Sequence, residues 1–171
     1  RVIKRVVKSM GLDDTKWPPR QIQWFINKQK DECKRSKDVD TSDDYFAEKM
    51  TGIYKTYEEL CERESLVDFG ELLLRVYLLL KTNQEVLAHY QRRFSYILVD
   101  EFQDTNEVQY QFLKLLAEGG ANFMSVGDDD QSIYGWRGAK SENINRFTKD
   151  FSGTEIVRLE QNYRSTSVIL N

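Results

Sequence analysis

The stretch that decides the fold is residues 96–104, YILVDEFQD. Its first four residues form a short, continuous apolar run, which is typical of a strand buried on both faces of a parallel sheet. Two acids, Asp100 and Glu101, follow this strand directly. Because the ligands of open parallel sheets bind beyond the carboxyl ends of the strands, we expect the two acids to lie in a binding site.

The pair of acids suits the chemistry of phosphoryl transfer. A Mg²⁺ ion prefers oxygen ligands and keeps several waters, so one carboxylate such as Asp100 is enough to hold it. Glu101 can then orient and deprotonate the water that attacks a phosphoryl group. An isolated Asp-Glu pair after a strand is more often a solvated turn. The interpretation therefore depends on the segments that follow.

A helical segment and two more apolar runs of strand length follow the first strand. Residues 108–117 have helical periodicity, and residues 123–126 and 156–159 predict a second and a third strand. Strands that are separated by crossover helices indicate a parallel sheet with right-handed connections. The polar segments after all three strands are therefore expected at the same end of the sheet.

The loop after the second strand, residues 127–138, is GDDDQSIYGWRG. The amide of Gln131 can contact a phosphate oxygen or the attacking water, since it both donates and accepts hydrogen bonds. Tyr134 and Trp136 can stack on unpaired bases, although Trp136 alone is better interpreted as a loop anchor in the core. For residues 129–130 we favour a solvated turn.

The segment after the third strand, residues 159–166, is LEQNYRST. Arg164 can supply a permanently charged, planar donor to a terminal phosphate, and Tyr163 can stack on a purine ring. The alternatives are an arginine paired with a surface acid and a buried structural tyrosine. Ser165 is expected to cap a final helix.

The first half of the chain, residues 1–93, has the pattern of one helix after another. Asp68 and Glu71 stand in capping-box spacing, and either Thr41 or Ser42 can cap the third helix. The predicted helices start at about Val2, Pro19, Thr41 or Ser42, Asp68 and Gln84. Because helical patterns run into both ends of the chain, we expect it to be an internal segment of a longer protein.

Composition sets the outer limits of function. The net charge of −3 over 171 residues excludes a uniformly basic nucleic-acid protein, but a local DNA-binding face is compatible with it. Cys33, Cys61 and the single His89 cannot build a four-ligand zinc site. The most apolar run, Leu72–Leu80, contains Arg75 and is too short to span a membrane. A reducing, cytoplasmic location is expected.

Three motifs in order resemble the UvrD/Rep/PcrA family of superfamily-one DNA helicases. They are residues 100–106 (DEFQDTN), residues 127–139 (GDDDQSIYGWRGA) and residues 161–166 (QNYRST). Residues 17–20 (WPPR) and 67–69 (VDF) are similar to the UvrD branch, so the resemblance covers nearly the whole chain.

The resemblance implies an α/β fold with a partial RecA-like parallel sheet, preceded by an all-helical inserted subdomain. Residues 1–93 would be most of subdomain 1B, which touches duplex DNA ahead of the fork. Residues 94–171 would be the C-terminal part of RecA-like subdomain 1A, ending at its border with 2A.

The resemblance also assigns roles at a site for the cofactors ATP and Mg²⁺. Asp100 is similar to the magnesium-binding acid of the Walker B motif, and Glu101 to the catalytic base. Gln131 resembles the sensor of the terminal phosphate. Tyr163 is similar to the residue that stacks on adenine, and Arg164 to the arginine that contacts the phosphate.

The partner that the resemblance implies is DNA, as a single strand and at a junction of single and double strands. Tyr134 and Trp136 are similar to single-strand contacts, with Trp136 stacking on a base. A 3′ to 5′ motor that acts in repair or replication, associated with the bacterial nucleoid and with other repair or replication proteins, would follow. No membrane is involved in this interpretation.

One family motif is not found in the sequence. None of the nine glycines precedes a lysine, so the phosphate-binding loop GxxxxGK[ST] does not occur in residues 1–171. We expect that loop elsewhere in the parent protein, and we expect the chain alone to hydrolyse no ATP. Two alternatives stay open: a DNA- or partner-binding module that never hydrolyses ATP, and a weaker one, a metal-dependent nuclease built on the clustered acids.

Overall fold

The computed structural model describes residues 1–42, 44–135, 138–139, 142–161, 163 and 165–166. Helices and two strands follow one another along this part of the chain. They are α1 (Val2–Ser9), α2 (Pro19–Asp31), α3 (Tyr45–Arg63), α4 (Phe69–Thr82), α5 (Gln84–Arg93), β1 (Tyr96–Val99), α6 (Glu107–Ala117), β2 (Asn122–Ser125) and α7 (Glu142–Asp150). Within the described ranges, none of the helices has the length and apolar content needed to cross a bilayer.

Several helix ends lie where the local sequence predicts them. Pro19 occupies the first turn of α2, where its missing N–H leaves no hydrogen bond unmade. Gly11 follows α1 with φ of +61°, a left-handed conformation that stops a helix and favours glycine. The carboxylate of Asp68 caps α4 by accepting a hydrogen bond from the Glu71 N–H at 2.7 Å.

The start of α3 differs from the prediction. The helix begins at Tyr45, and its cap is Asp44, whose carboxylate accepts from the Phe46 N–H at 2.8 Å. Ser42 does not cap the helix, because its N–H and hydroxyl both donate to the carboxylate of Asp40. The capping box expected at α4 is also only half formed, since the Glu71 carboxylate enters ion pairs.

A first core holds the three N-terminal helices together. α1, α2 and α3 pack their apolar faces against one another, in line with the helical periodicity of the sequence. Each fully buried aliphatic side chain in such a core contributes about 1.5–3 kcal/mol. The most deeply buried members are Val6, Ile22, Ile26, Met50, Ile53 and Tyr54.

The remaining helices pack around the sheet. Buried residues of α4 and α5 contact α6, and Phe147 of α7 closes the layer over Phe102 and Phe123. By packing, α4 and α5 therefore adjoin the α/β part, while α1 to α3 form the first core. The subdomain border near residue 93 stays a prediction.

The sheet has two parallel strands among the described residues, joined through α6 as predicted. Tyr96 pairs with Asn122 and Val99 with Ser125 at the two ends of the register. The prediction of burial on both faces is wrong. Leu98 is 74% exposed and Met124 58% exposed, because in the described part of the chain helices cover only the opposite face.

The predicted third strand, residues 156–159, is also wrong. No strand is formed there, and the side chains of Val157 and Leu159 are 72% and 87% exposed. An apolar run becomes a strand only when a neighbouring strand supplies its hydrogen bonds. Among the described residues, β1 and β2 pair with each other and not with this segment.

Candidate active site

The turn after β1 has an unusual backbone at its second acid. Glu101 adopts φ of 50° and ψ of 44°, the left-handed region that residues other than glycine rarely occupy. Such a conformation costs on the order of 1–3 kcal/mol and persists only where neighbours enforce it. Here the Glu101 carbonyl accepts from the Asp104 N–H, and the Glu101 N–H donates to the Asp100 carboxylate, both at 2.9 Å.

The ends of the two strands lie side by side, as the parallel-sheet prediction requires. The Val126 N–H donates to the Val99 carbonyl at 2.8 Å, and the Phe102 N–H donates to the Val126 carbonyl at 2.9 Å. These bonds continue the pairing of β1 and β2 past the last strand residues. The acidic turn and the loop that begins at Gly127 therefore form one surface.

A chain of hydrogen bonds runs across this surface from Glu101 to Gln131. The Gln103 amide donates to Glu101 Oε2 at 2.7 Å, and its oxygen accepts from the Asp128 N–H at 3.0 Å. The Asp128 carboxylate in turn accepts from the Gln131 amide at 2.6 Å. The residues predicted as base and as phosphate sensor are thus connected through Gln103 and through the backbone N–H and carboxylate of Asp128.

Gln103 is packed as tightly as a core residue. Its exposed fraction is 0%, although it belongs to a polar turn. A Cβ placed on Gly127 would lie 2.7 Å from Gln103 Oε1, closer than real side chains approach. The glycine that follows β2 therefore leaves the room that the amide occupies.

The structure brings together three of the predicted site residues. Asp100, Glu101 and Gln131 are all exposed at the carboxyl end of the sheet, where a ligand can reach them. Tyr134 lies in the same loop and is half-buried.

Three predicted site residues remain, and of these Tyr163 lies in the described part of the chain. Tyr163 is 87% exposed, so the alternative of a buried structural tyrosine is wrong. Trp136 and Arg164 lie outside the described residues.

The donor set at the strand ends fits magnesium in the way a nucleotide site requires. Among the described residues, no three Asp, Glu, His or Cys side chains converge to form a complete metal cage. Magnesium at phosphoryl-transfer sites is commonly held by one or two carboxylates, with waters and substrate phosphates as the other ligands. Asp100, exposed directly after β1, can supply such a carboxylate.

A second contact connects this surface to the helical half. The Asn106 amide donates to Asp31 Oδ1 at 2.9 Å, and a Cβ on Gly138 would lie 3.3 Å from Asp31 Oδ2. Burial, with a smaller contribution from Glu32, raises the pKa of Asp31 to about 6. The end of α2 thus contacts the residues that follow both strands.

Comparison with known proteins identifies the family. The model of the UvrD/REP helicase N-terminal domain matches residues 1–152. The chain belongs to the UvrD/REP helicase family. It is 53% identical to DNA helicase II of Escherichia coli (strain K12), over 100% of the chain and 24% of that protein. It is 42% identical to the ATP-dependent DNA helicase PcrA of Leuconostoc citreum, over 99% of the chain and 23% of that protein.

Family membership confirms the resemblance drawn from the three motifs. The chain spans about a quarter of the length of the curated relatives it matches. In this UvrD/REP segment, hydrogen bonds join the acidic turn to the Gly127 loop.

Sequence reasoning missed two members of the site. The motifs contain Gln103 and Asp128 but indicate no role for them, and the structure shows that they connect Glu101 to Gln131. The signal that could have found Gln103 is Gly127, the glycine directly after the predicted second strand, residues 123–126. A glycine at a strand end often marks a place where another group approaches the backbone closely.

Proposed function

We propose that this UvrD/REP segment belongs to an ATP-dependent DNA helicase that moves along single-stranded DNA and separates duplex strands. The observation that carries the proposal is the hydrogen-bonded chain from Glu101 through Gln103 and Asp128 to Gln131. Base and sensor positions connected at the carboxyl end of a parallel sheet are what ATP hydrolysis coupled to movement needs.

The proposed roles follow from the chemistry of each side chain. Asp100 would hold Mg²⁺, which neutralises phosphate charge when bound. Glu101 would accept the proton of the attacking water, since its exposed carboxylate stands at the strand end. Gln131 would sense the terminal phosphate and pass its presence to the loop that carries Tyr134.

Further roles rest on family resemblance. Tyr134 and Trp136 would contact single-stranded DNA, Tyr163 would stack on adenine, and Arg164 would contact the terminal phosphate. Translocation from 3′ to 5′, contact with a junction of single and double strands, and a task in repair or replication belong to the same proposal. So does the division into subdomains 1B and 1A.

Substitution of the base tests the proposal in the full-length gene product. Glu101→Gln keeps the shape of the side chain but cannot accept a proton from water, so we expect DNA-stimulated phosphate release to fall by at least about 100-fold. Binding of a fluorescent ATP analogue should be retained. The matched control is Glu118→Gln, which changes an exposed glutamate at the far end of α6.

Two outcomes would count against the proposal. Wild-type turnover in the Glu101→Gln protein would reject Glu101 as the base. A full-length wild-type protein that binds single-stranded DNA but releases no phosphate would favour the alternative of a non-hydrolysing DNA- or partner-binding module.

A further inference from the structure

Gln103 occupies the centre of the contacts between the acidic turn and the Gly127 loop. We propose that Gln103 is a positioning residue, whose amide orients the Glu101 carboxylate and ties it to the loop that carries Gln131. The proposal rests on the proposed function, because it takes Glu101 as the base. It adds a residue that acts on the reaction through Glu101 without touching the nucleotide.

The chemistry of the two partners fixes which way the amide faces. The Asp128 N–H is a backbone donor, so only the oxygen of the Gln103 amide can meet it. The NH₂ end must then face Glu101, whose Oε2 accepts from it at 2.7 Å. A carboxylate or an apolar side chain at position 103 cannot satisfy both neighbours.

Packing turns this amide into a rigid connection. Gln103 is fully buried, and Gly127 stands so close that a Cβ there would be 2.7 Å from the amide oxygen. Buried polar groups held by two hydrogen bonds have little freedom to reorient. A shift of the Gly127 loop must therefore displace the amide, and with it the Glu101 carboxylate.

The far end of the connection is braced as well. One oxygen of Asp128 accepts from the Asp130 N–H at 3.0 Å, and the other accepts from the Gln131 amide at 2.6 Å. Residues 128–131 are thus held as one unit by a single carboxylate. A movement of Gln131 therefore also shifts the Asp128 N–H, from which the Gln103 amide oxygen accepts a hydrogen bond.

The experiment measures ATP hydrolysis by the full-length gene product carrying Gln103→Leu or Gln103→Glu. Misplacing a reacting group by about 1 Å can cost roughly 100-fold, so we expect Gln103→Leu to lower kcat by at least about tenfold. The KM for ATP should stay within about twofold, because the residue contributes orientation and not substrate binding. Gln103→Glu should lose more, since it places a second carboxylate against Glu101.

The matched control is Gln91→Leu. The Gln91 amide donates to the Leu115 carbonyl at 2.8 Å, and a Cβ on Gly119 would lie 2.6 Å from the Gln91 side chain. This pair also sets a glycine against a glutamine side chain away from the strand ends, although Gln91 is half-buried where Gln103 is fully buried. It therefore reports the general cost of removing a packed glutamine, and we expect its kcat to match wild type.

A double substitution separates positioning from a structural role. Glu101→Asp shortens the base beyond the reach of the amide and lowers kcat. If Gln103 acts through Glu101, adding Gln103→Leu to Glu101→Asp lowers kcat by less than about twofold more. Losses that multiply in the double variant overturn the proposal, as does a Gln103→Leu kcat equal to that of Gln91→Leu.

Gly127→Ala tests the same connection without removing a polar group. The added methyl would lie 2.7 Å from the Gln103 amide oxygen and 3.3 Å from the Gln103 backbone nitrogen, whereas the atoms nearest to the methyl of Gly119→Ala belong to Gln91. We expect a loss of kcat in the first variant alone, and equal kcat values in the two variants overturn the proposal. Hydrolysis retained by Glu101→Gln would reject the proposed function itself, whereas an inactive Glu101→Gln beside a fully active Gln103→Leu would reject only the role of Gln103.

Discussion

At the residue scale, the most unusual group is the buried ammonium of Lys30. Its side chain is 2% exposed, and Nζ lies 2.7 Å from Asp68 Oδ2 and 3.0 Å from Glu71 Oε2. It also stands over the ring of Tyr57, 5.3 Å from its centroid. A buried charge is tolerated only when it is paired and hydrogen-bonded, so these contacts are a condition for burying Lys30 at this junction of α2, α3 and α4.

Glu71 is the acid on which this network depends most. Burial alone would raise its pKa, but hydrogen bonds from Arg35, Arg75 and Lys30 outweigh burial and lower the pKa from 4.5 to about 2. A depressed pKa means that the ionised form stabilises the fold. That contribution is fully present above pH 4.5 and is lost as the pH falls towards about 2.

Glu71→Gln should therefore destabilise the chain at neutral pH. Removing one partner of a buried ion pair costs about 3 kcal/mol or more, because the remaining charges lose their compensation. Urea denaturation followed by circular dichroism measures the free energy of unfolding. As the pH falls below 4.5, this free energy should decrease less in the variant than in wild type. Glu59→Gln, an exposed acid on α3, is the control; equal stability of the two variants would contradict the role of Glu71.

At the element scale, the start of α3 illustrates how packing selects among local signals. Thr41, Ser42 and Asp44 can all cap a helix, so the local sequence permits several starts. The rings of Trp17 and Phe46 stack with centroids 5.5 Å apart, and this contact with the segment before α2 places the first turn of α3. With Phe46 held there, the carboxylate that reaches its N–H is that of Asp44.

Alanine substitutions distinguish the two possible caps. Asp44→Ala should lower the free energy of unfolding by about 1 kcal/mol, the usual contribution of an N-cap side chain. Ser42→Ala should change it by less than about 0.5 kcal/mol, because Ser42 only closes an exposed turn with Asp40. Thermal or urea unfolding of both variants checks this, and a larger loss in Ser42→Ala would restore the earlier start predicted from sequence.

The candidate site could be predicted as far as neighbouring strand ends define it. Asp100 and Glu101 after β1 and the Gly127 loop after β2 were expected on one surface, and the structure joins them. The link through Gln103 could not be predicted, because it depends on an amide meeting a backbone N–H 25 residues away. The local sequence pattern does not indicate which distant backbone group a side chain will bond to.

At the scale of the whole molecule, Asp31 connects the first core to the site. It ends α2 and contacts Asn106, which is the last residue of the motif at 100–106 and caps α6. Burial raises the pKa of Asp31 from 3.8 to about 6, so ionisation of this acid opposes folding. Protonated Asp31 contributes to the free energy of unfolding. That contribution is fully present below pH 3.8 and is lost as the pH rises through about 6.

Asp31→Asn should thus raise the thermal midpoint at about pH 8 and leave it nearly unchanged at about pH 4. The asparagine keeps an oxygen that can accept from the Asn106 amide while removing the half-buried charge. Differential scanning fluorimetry at the two pH values measures the effect.

An exchange of the two side chains provides the control for Asp31→Asn. Asn106→Asp retains a cap for α6 but sets two carboxylates against each other, so it should lower the midpoint. Asp31→Asn together with Asn106→Asp restores an amide opposite a carboxylate and should recover it. A midpoint of Asp31→Asn at or below that of wild type at about pH 8 would contradict the assignment of an unfavourable charge.

The sequence by itself determined the order and type of the elements from α1 to β2, several helix ends, the parallel pairing of the two strands and the family. These depend on periodicity, on caps and on motifs, which act between residues a few positions apart. Tertiary structure alone decided the start of α3, the exposed face of the sheet, the unpaired state of residues 156–159 and the Gln103 connection. Each of these depends on which distant group lies opposite, and a pattern read along the chain does not specify that neighbour.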